Sequence, residues 1–131
     1  MSSGGTVLVA GSAGGIGSAC MRRLGADGYD VVGIDRTDGV DVTRPGGAEE
    51  ALEAATNGRG PLRAVVHAIG MSGRKLGDGM VSECTDEAWS EVMRVNLESA
   101  FRLLRSSLPA VQPGGSIVLV GSALAHRSDP D

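Results

Sequence analysis

At 131 residues the chain can bury one real core and is too short for two domains. It is 41% hydrophobic and 21% charged, with a formal net charge of −4 and scattered Lys and Arg, which excludes a broad nucleic-acid surface. No apolar run nears the ~18 residues of a membrane span, no signal peptide is legible, and Cys20 and Cys84 fit no zinc pattern, so a cytoplasmic protein without a metal site or membrane partner is expected.

The elements follow in chain order. Thr6–Ala10 reads as a strand, and Ile16–Ala26 as a helix with Ile16, Ala19, Cys20 and Leu24 on one side. Val31–Ile34 is a second apolar strand closed by Asp35; Val40–Val42 is either a very short third strand or an extended loop beside the sheet, since no crossover helix fits between Asp35 and Val40. Ala48–Ala55 is helical and Leu62–His67 is the next strand. Gly70–Cys84 is a glycine-rich loop. Trp89–Leu108 is a long helix with Thr85 as N-cap and Asp86 and Glu87 in its first turn. Ile117–Val120 is the last strand and Gly121–Asp131 a polar tail. The strands are near-continuous apolar runs, as in a sheet covered on both faces. The expected fold is therefore α/β: a Rossmann-type, doubly wound parallel sheet in a three-layer α/β/α sandwich. Its strand order should be 3-2-1-4-5, with the Ile16 and Trp89 helices on opposite faces.

The first strand runs straight into Gly11-Ser12-Ala13-Gly14-Gly15-Ile16-Gly17. Glycines leave the backbone uncovered, and free N–H groups at a helix start face an anion. No Gly-Lys-Ser/Thr follows, so this is not a triphosphate P-loop, and the glycines at 11, 15 and 17 miss the tight G-x-G-x-x-G spacing. A flexible turn is the plain alternative. Asp35 ends the second strand about 18 residues after Gly17. A carboxylate there can accept hydrogen bonds from a ribose and repel a 2′-phosphate, which predicts NAD in preference to NADP. Arg36 could still support NADP through its charge, and Asp35 could equally be a solvated turn residue.

Asn96 lies inside a stripe formed by Trp89, Val92, Met93, Ala100, Leu103 and Leu104, where a buried amide needs partners. It either bonds a backbone carbonyl or opens the helix and holds a water. Ser122 follows the last strand at the edge where such sheets bind ligands. It can orient a substrate oxygen or cap a loop. No Gly-x-Ser-x-Gly elbow makes it a nucleophile, and neither His67 nor His126 is placed as a base.

Together these residues carry a resemblance. Ala10-Gly11-Ser12-Ala13-Gly14-Gly15-Ile16-Gly17 is similar to the Thr-Gly-x-x-x-Gly-x-Gly segment of the short-chain dehydrogenase/reductase family, with Ala10 at the usual Thr. Asp41-Val42 resembles the pair that contacts adenine. His67-Ala68-Ile69-Gly70 sits where the family carries Asn-Asn-Ala-Gly, Asn96 matches its helix asparagine, and Ser122 its catalytic serine. The likeness implies a single NAD(P)-binding domain over residues 1–131, about the N-terminal half of the family fold. It implies hydride transfer between a nicotinamide and a small-molecule alcohol or carbonyl, and a homo-oligomer for the full-length form. Its site residues would be Ser122 and Asn96 for catalysis, with Gly11–Gly17, Asp35, Arg36, Asp41, Val42 and His67–Gly70 for the cofactor.

The family's acid/base pair is a Tyr followed four residues later by a Lys. The tyrosine here is Tyr29, before the second strand, and the lysine is Lys75, in the loop after Gly70; each is the sole residue of its type. The expectation is a truncated oxidoreductase with little or no turnover, the alternative a non-catalytic dinucleotide-binding module. A methyltransferase-like sheet is a weaker third reading, because its Gly-x-Gly-x-Gly turn is missing.

Overall fold

The computed structural model describes residues 4–127, so the end of the expected polar tail, Ser128–Asp131, lies outside the described residues. The strands are β1 (Thr6–Ala10), β2 (Asp30–Ile34), β3 (Leu62–His67) and β4 (Ser116–Leu119). All pair in parallel, in the order β2-β1-β3-β4. β1 is buried at every position, as a central strand with helices on both faces must be.

Alternation along β1 divides the core. Val7 and Val9, with Val66, face Cys20, Met21 and Leu24 of α1 (Gly15–Ala26). Leu8 and Ala10, with Val32, Ile34 and Val65, face Ala48, Ala51, Leu52 and Ala55 of α2 (Gly47–Thr56). Leu103 of the last long helix joins this second cluster. The result is the expected three-layer, doubly wound α/β/α sandwich. Ile16 does not join the packed side of α1. It sits in the helix's first turn and is 56% exposed.

Val40–Val42 forms no strand. The chain leaves β2 through a single 3-10 turn, Arg36–Asp38, too short for a parallel crossover, which takes about a dozen residues. Val42 is nevertheless buried in the core, so this segment is an extended strap across the sheet edge. The sheet keeps the expected order without that strand.

The long helix is three joined pieces: α3 (Asp86–Val92), a π-helical segment Met93–Glu98, and α4 (Ser99–Ser107). Thr85 caps it, its hydroxyl accepting from the Ala88 N–H at 3.1 Å. Its buried face differs from the apolar stripe. Ala88, Val95, Ser99, Leu103 and Ser107 face inward, whereas Trp89, Met93, Leu97, Phe101 and Leu108 face out. Small residues let the helix approach the sheet. The two serines hide their hydroxyls by donating to the carbonyls of Val95 and Leu103, four residues earlier. Asn96 is therefore exposed rather than buried. Among the described residues no helix is long and apolar enough to cross a membrane.

Candidate active site

The C-terminal ends of β1, β2 and β3 open into a cleft of roughly 760 Å³, part of it open solvent. Gly11 and Gly14 form its floor, Asp35 and Arg36 one rim, Asp41–Thr43 a second wall, and Ala68–Met71 a third. Arg94 and Val95 close it from the π segment.

The floor is set by close packing. Gly11 has φ +86°, the left-handed region that favours glycine. A Cβ on Gly17 would lie 2.0 Å from the Gly11 carbonyl oxygen, so α1 can start against β1 only with glycine there. Among the described residues, no side chain caps α1 and no acidic residue occupies its first turn. A Cβ on Gly15 would meet open space. The positive end of a twelve-residue helix is thus left facing the cleft, and a phosphate fits this cradle.

Asp35 is committed to its own neighbourhood. Its carboxylate accepts the Ala13 N–H at 3.2 Å, and the Thr37 N–H and hydroxyl at 3.1 and 3.2 Å. Partial burial pushes its pKa up. The bonds from Thr37 and Ala13, with the Arg36 charge, outweigh this and hold it below the usual carboxylate value. Asp41 accepts the Thr43 N–H at 2.9 Å and its hydroxyl at 2.5 Å. The Thr43 hydroxyl bond leads in lowering its pKa, with Arg94 and Arg44 adding to it.

Asn96 holds the third wall. Its Oδ1 accepts the Met71 N–H at 2.8 Å and its Nδ2 donates to the Met71 carbonyl at 2.9 Å. The backbone-bonding alternative for Asn96 is the one present, and the helix is also opened there, as a π segment. π segments of this kind recur at functional sites.

Of the expected site residues, Gly11, Gly14, Asp35, Arg36, Asp41, Val42, Ala68, Ile69 and Gly70 line the cleft. Ser12, Ala13, Gly15, Ile16 and Gly17 lie in the turn and first helical residues beside it. His67 does not reach it. Its ring is buried against α4, with Nε2 2.7 Å from the Ser99 hydroxyl. Since that hydroxyl donates to the Val95 carbonyl, Nε2–H must be the donor to it. Burial lowers the His67 pKa and so favours the neutral ring. Ser122 accepts the Leu124 N–H at 3.1 Å and caps a 3-10 turn, Ala123–Ala125, at the end of β4. Sequence reasoning passed over Thr43, Met71 and Arg94. An Asp-x-Thr turn and a cation two residues before Asn96 were the available signals. No group of three metal-ligating side chains occurs among the described residues.

Comparison with known proteins agrees with this geometry. Residues 39–131 match the family model described as Enoyl-(Acyl carrier protein) reductase. The 3-oxoacyl-[acyl-carrier-protein] reductase MabA of Mycobacterium tuberculosis is 30% identical over 128 residues, spanning 89% of this chain and 50% of that protein. A (5R,7aS)-5-hydroxy-7a-methyl-1-oxo-2,3,5,6,7,7a-hexahydro-1H-indene-carboxyl-CoA reductase of the same species is 32% identical, spanning 95% and 56%. The chain thus spans about half the length of these curated relatives. Among solved structures, a blue fluorescent protein from a metagenomic library in complex with NADPH has TM-score 0.80 and 26% identity, covering 95% of this chain and 58% of that one. The F189W actinorhodin polyketide ketoreductase with NADPH has TM-score 0.81 and 24% identity, covering 99% and 57%.

The expectation of NAD in preference to NADP is corrected by this comparison: the blue fluorescent protein, 26% identical, is a complex with NADPH, and two further solved neighbours of the same fold are NADPH complexes as well. Two observations weaken the argument for NAD: the Asp35 oxygens already serve the Ala13 and Thr37 donors and are less available to a ribose, and an exposed Arg36 stands beside them on the rim of the cleft. Glycine turn, strap, π-segment asparagine and matched family together identify the chain as a member of the short-chain dehydrogenase/reductase family.

Proposed function

We propose that this chain is the nucleotide-binding part of an NADP(H)-dependent oxidoreductase that interconverts a carbonyl and an alcohol. The observation that carries the reading is the cleft, where the glycine turn, Arg36, the Asp41–Thr43 strap and the Ala68–Met71 wall converge at the C-terminal edge of a parallel sheet. The uncapped start of α1 would hold the pyrophosphate, and Arg36 the 2′-phosphate. Asp41-Val42 would flank the adenine and Ala68–Gly70 the ribose beyond it. Bound there, the dinucleotide supplies hydride. Ser122 would orient the substrate oxygen. Because two relatives are named as reductases of acyl-carrier-protein or CoA derivatives, the proposed substrate is a ketone on a thioester-borne acyl chain.

Within these 131 residues the proton-transfer step lacks a donor. Tyr29 packs beside Gly4 and in the α1-side core cluster, and Lys75 lies in a 3-10 turn of the loop after β3. General acid/base catalysis contributes about 10²–10⁴-fold, so the isolated chain should bind nucleotide with little turnover. That would also satisfy the binding-module alternative. We further propose self-association through the outward apolar face of α3 and α4.

Calorimetric titration of the 131-residue chain with NADP⁺, NADPH, NAD⁺ and 2′,5′-ADP tests the reading. Binding of the phosphorylated nucleotides with weaker NAD⁺ binding is expected; binding of none of the four overturns it. Hydride transfer to an acetoacetyl thioester at rates typical of an enzyme would overturn the expectation of low turnover.

A further inference from the structure

The Asp41–Thr43 strap lies outside the sheet and outside any helix, so something else must fix its distance from the rest of the cleft. The buried Val42 side chain anchors its base. Its upper edge is held by a relay of polar groups. Thr43 donates its hydroxyl proton to Asp41 Oδ1, and the same hydroxyl accepts a hydrogen bond from Arg94 Nη1. Arg94 is in turn oriented by Glu91, one helical turn earlier, through Nε–Oε2 at 2.9 Å and Nη2–Oε1 at 2.6 Å. A guanidinium held by two parallel bonds has little freedom left, so its third edge points at Thr43 with a defined direction.

Arg94 belongs to the same π-helical segment as Asn96. Arg94 reaches the strap on one side of the cleft, and Asn96 holds Met71 on the other. Asp41, Thr43, Met71 and Arg94 all line the cleft.

We propose that Arg94 is a positioning residue for the adenosine half of the nucleotide: through Thr43 it sets the Asp41–Val42 strap at the separation the adenine requires. The inference rests on the nucleotide-binding reading above and goes beyond it, since neither Arg94 nor Thr43 was assigned a role there. Arg94 acts through Thr43, and the relay works only while both partners are present.

The test uses the full 131-residue chain and two probes, 2′,5′-ADP and NADP⁺, titrated against wild type, Arg94→Gln, Arg94→Lys, Thr43→Val and the Arg94→Gln/Thr43→Val double variant. Arg94→Gln and Thr43→Val should each weaken both probes by the same factor, about fivefold to tenfold, within the net contribution of one ordinary hydrogen bond. The double variant should be no weaker than either single one, because the two act as a unit, and Arg94→Lys, whose ammonium cannot keep both Glu91 bonds and still reach Thr43, should recover little of the loss. A thermal melt of each variant fixes the folded fraction, and Thr43→Val, which removes one oxygen without a change of volume, carries the test if Arg94→Gln does not fold. Unchanged 2′,5′-ADP binding in Thr43→Val, additive losses in the double variant, or a loss confined to NADP⁺ would overturn the inference. Wild type that binds neither probe would instead bring down the nucleotide-binding reading itself.

Discussion

At the residue scale, Arg36 and His67 carry the clearest consequences. Arg36 stands exposed on the cleft rim beside an Asp35 already engaged by Ala13 and Thr37. Replacing it with Ala should weaken NADP⁺ about tenfold and leave NAD⁺ within about twofold, as expected from losing one charged hydrogen bond to a phosphate; equal losses for both nucleotides in calorimetry would remove Arg36 from phosphate recognition. His67 predicts a pH dependence. Its folded pKa is lowered by burial from the ordinary imidazole value of 6.5, so the unfolded chain binds the proton more readily. Stability is therefore complete above about pH 6.5 and falls as the pH drops through that value and on toward the depressed folded one. Urea unfolding of wild type between pH 7.5 and 5 should show this slope, and His67→Gln should flatten it. A slope unchanged in His67→Gln would assign it to other groups. The resemblance placed His67 at the cofactor because the family carries Asn there. The structure turns the side chain inward because, along β3, His67 shares the face of Val65, and Ser99 offers its ring a partner.

At the element scale, the helix from Asp86 to Ser107 shows what the sequence could and could not say. Its existence, its Thr85 cap and its place opposite α1 were all legible, since capping chemistry and apolar content are local. Its buried face was not. Periodicity weights large apolar residues, and here Trp89, Met93, Leu97 and Phe101 point outward while Ala88, Ser99 and Ser107 pack inward. A serine that bonds its own helix is as buriable as alanine, and nothing in its letter reveals which it will do. The opening of the helix at Asn96 was one of the sequence readings, but its partner was hidden, because Asn96 reaches a loop residue 25 positions earlier in the chain. That reach gives a prediction. Asn96→Ala removes both bonds to Met71, which should cost about 1–3 kcal/mol if each bond contributes about 0.5–1.5. The loss should be local, with hydrogen exchange at the Met71 amide accelerated about tenfold or more while the β1 amides exchange as before. Equal acceleration at Met71 and in β1 would show that Asn96 supports the whole fold rather than this wall.

At the scale of the whole molecule, the parallel sheet and its strand order could be read from apolar runs and the glycine turn. The strap at Val40–Val42 was legible as one of two readings, because the connection after Asp35 is too short for a crossover, but three apolar-rich residues pack equally well as strand or strap and did not decide between them. The cleft assembles from segments as distant as Gly11 and Arg94, so local patterns supplied its glycines and acids but not the Thr43–Arg94 relay between them. The molecule also leaves much apolar surface uncovered. Trp89, Met93, Leu97 and Phe101 recur every fourth residue along one helix face, and Phe101 carries Arg105 over its ring at 5.2 Å. At the sheet edge, Val118, Leu119 and Val120 are between 37% and 49% exposed. A contiguous apolar face of this kind and an open β edge both favour association. The two surfaces predict different behaviour. Helix-face contact about a two-fold axis closes into a defined dimer, whereas pairing of β4 with the opposite sheet edge, β2, of the next copy is head-to-tail and continues to larger species. Sedimentation of the 131-residue chain should therefore show concentration-dependent association. Trp89→Glu/Phe101→Glu should abolish a discrete dimer, and Val118→Lys should suppress only the heavier material, since a lysine on an edge strand blocks pairing without touching the helix face. A chain that remains monomeric at high concentration would show that neither surface is adhesive, and loss of both species in Val118→Lys alone would place all association at the sheet edge.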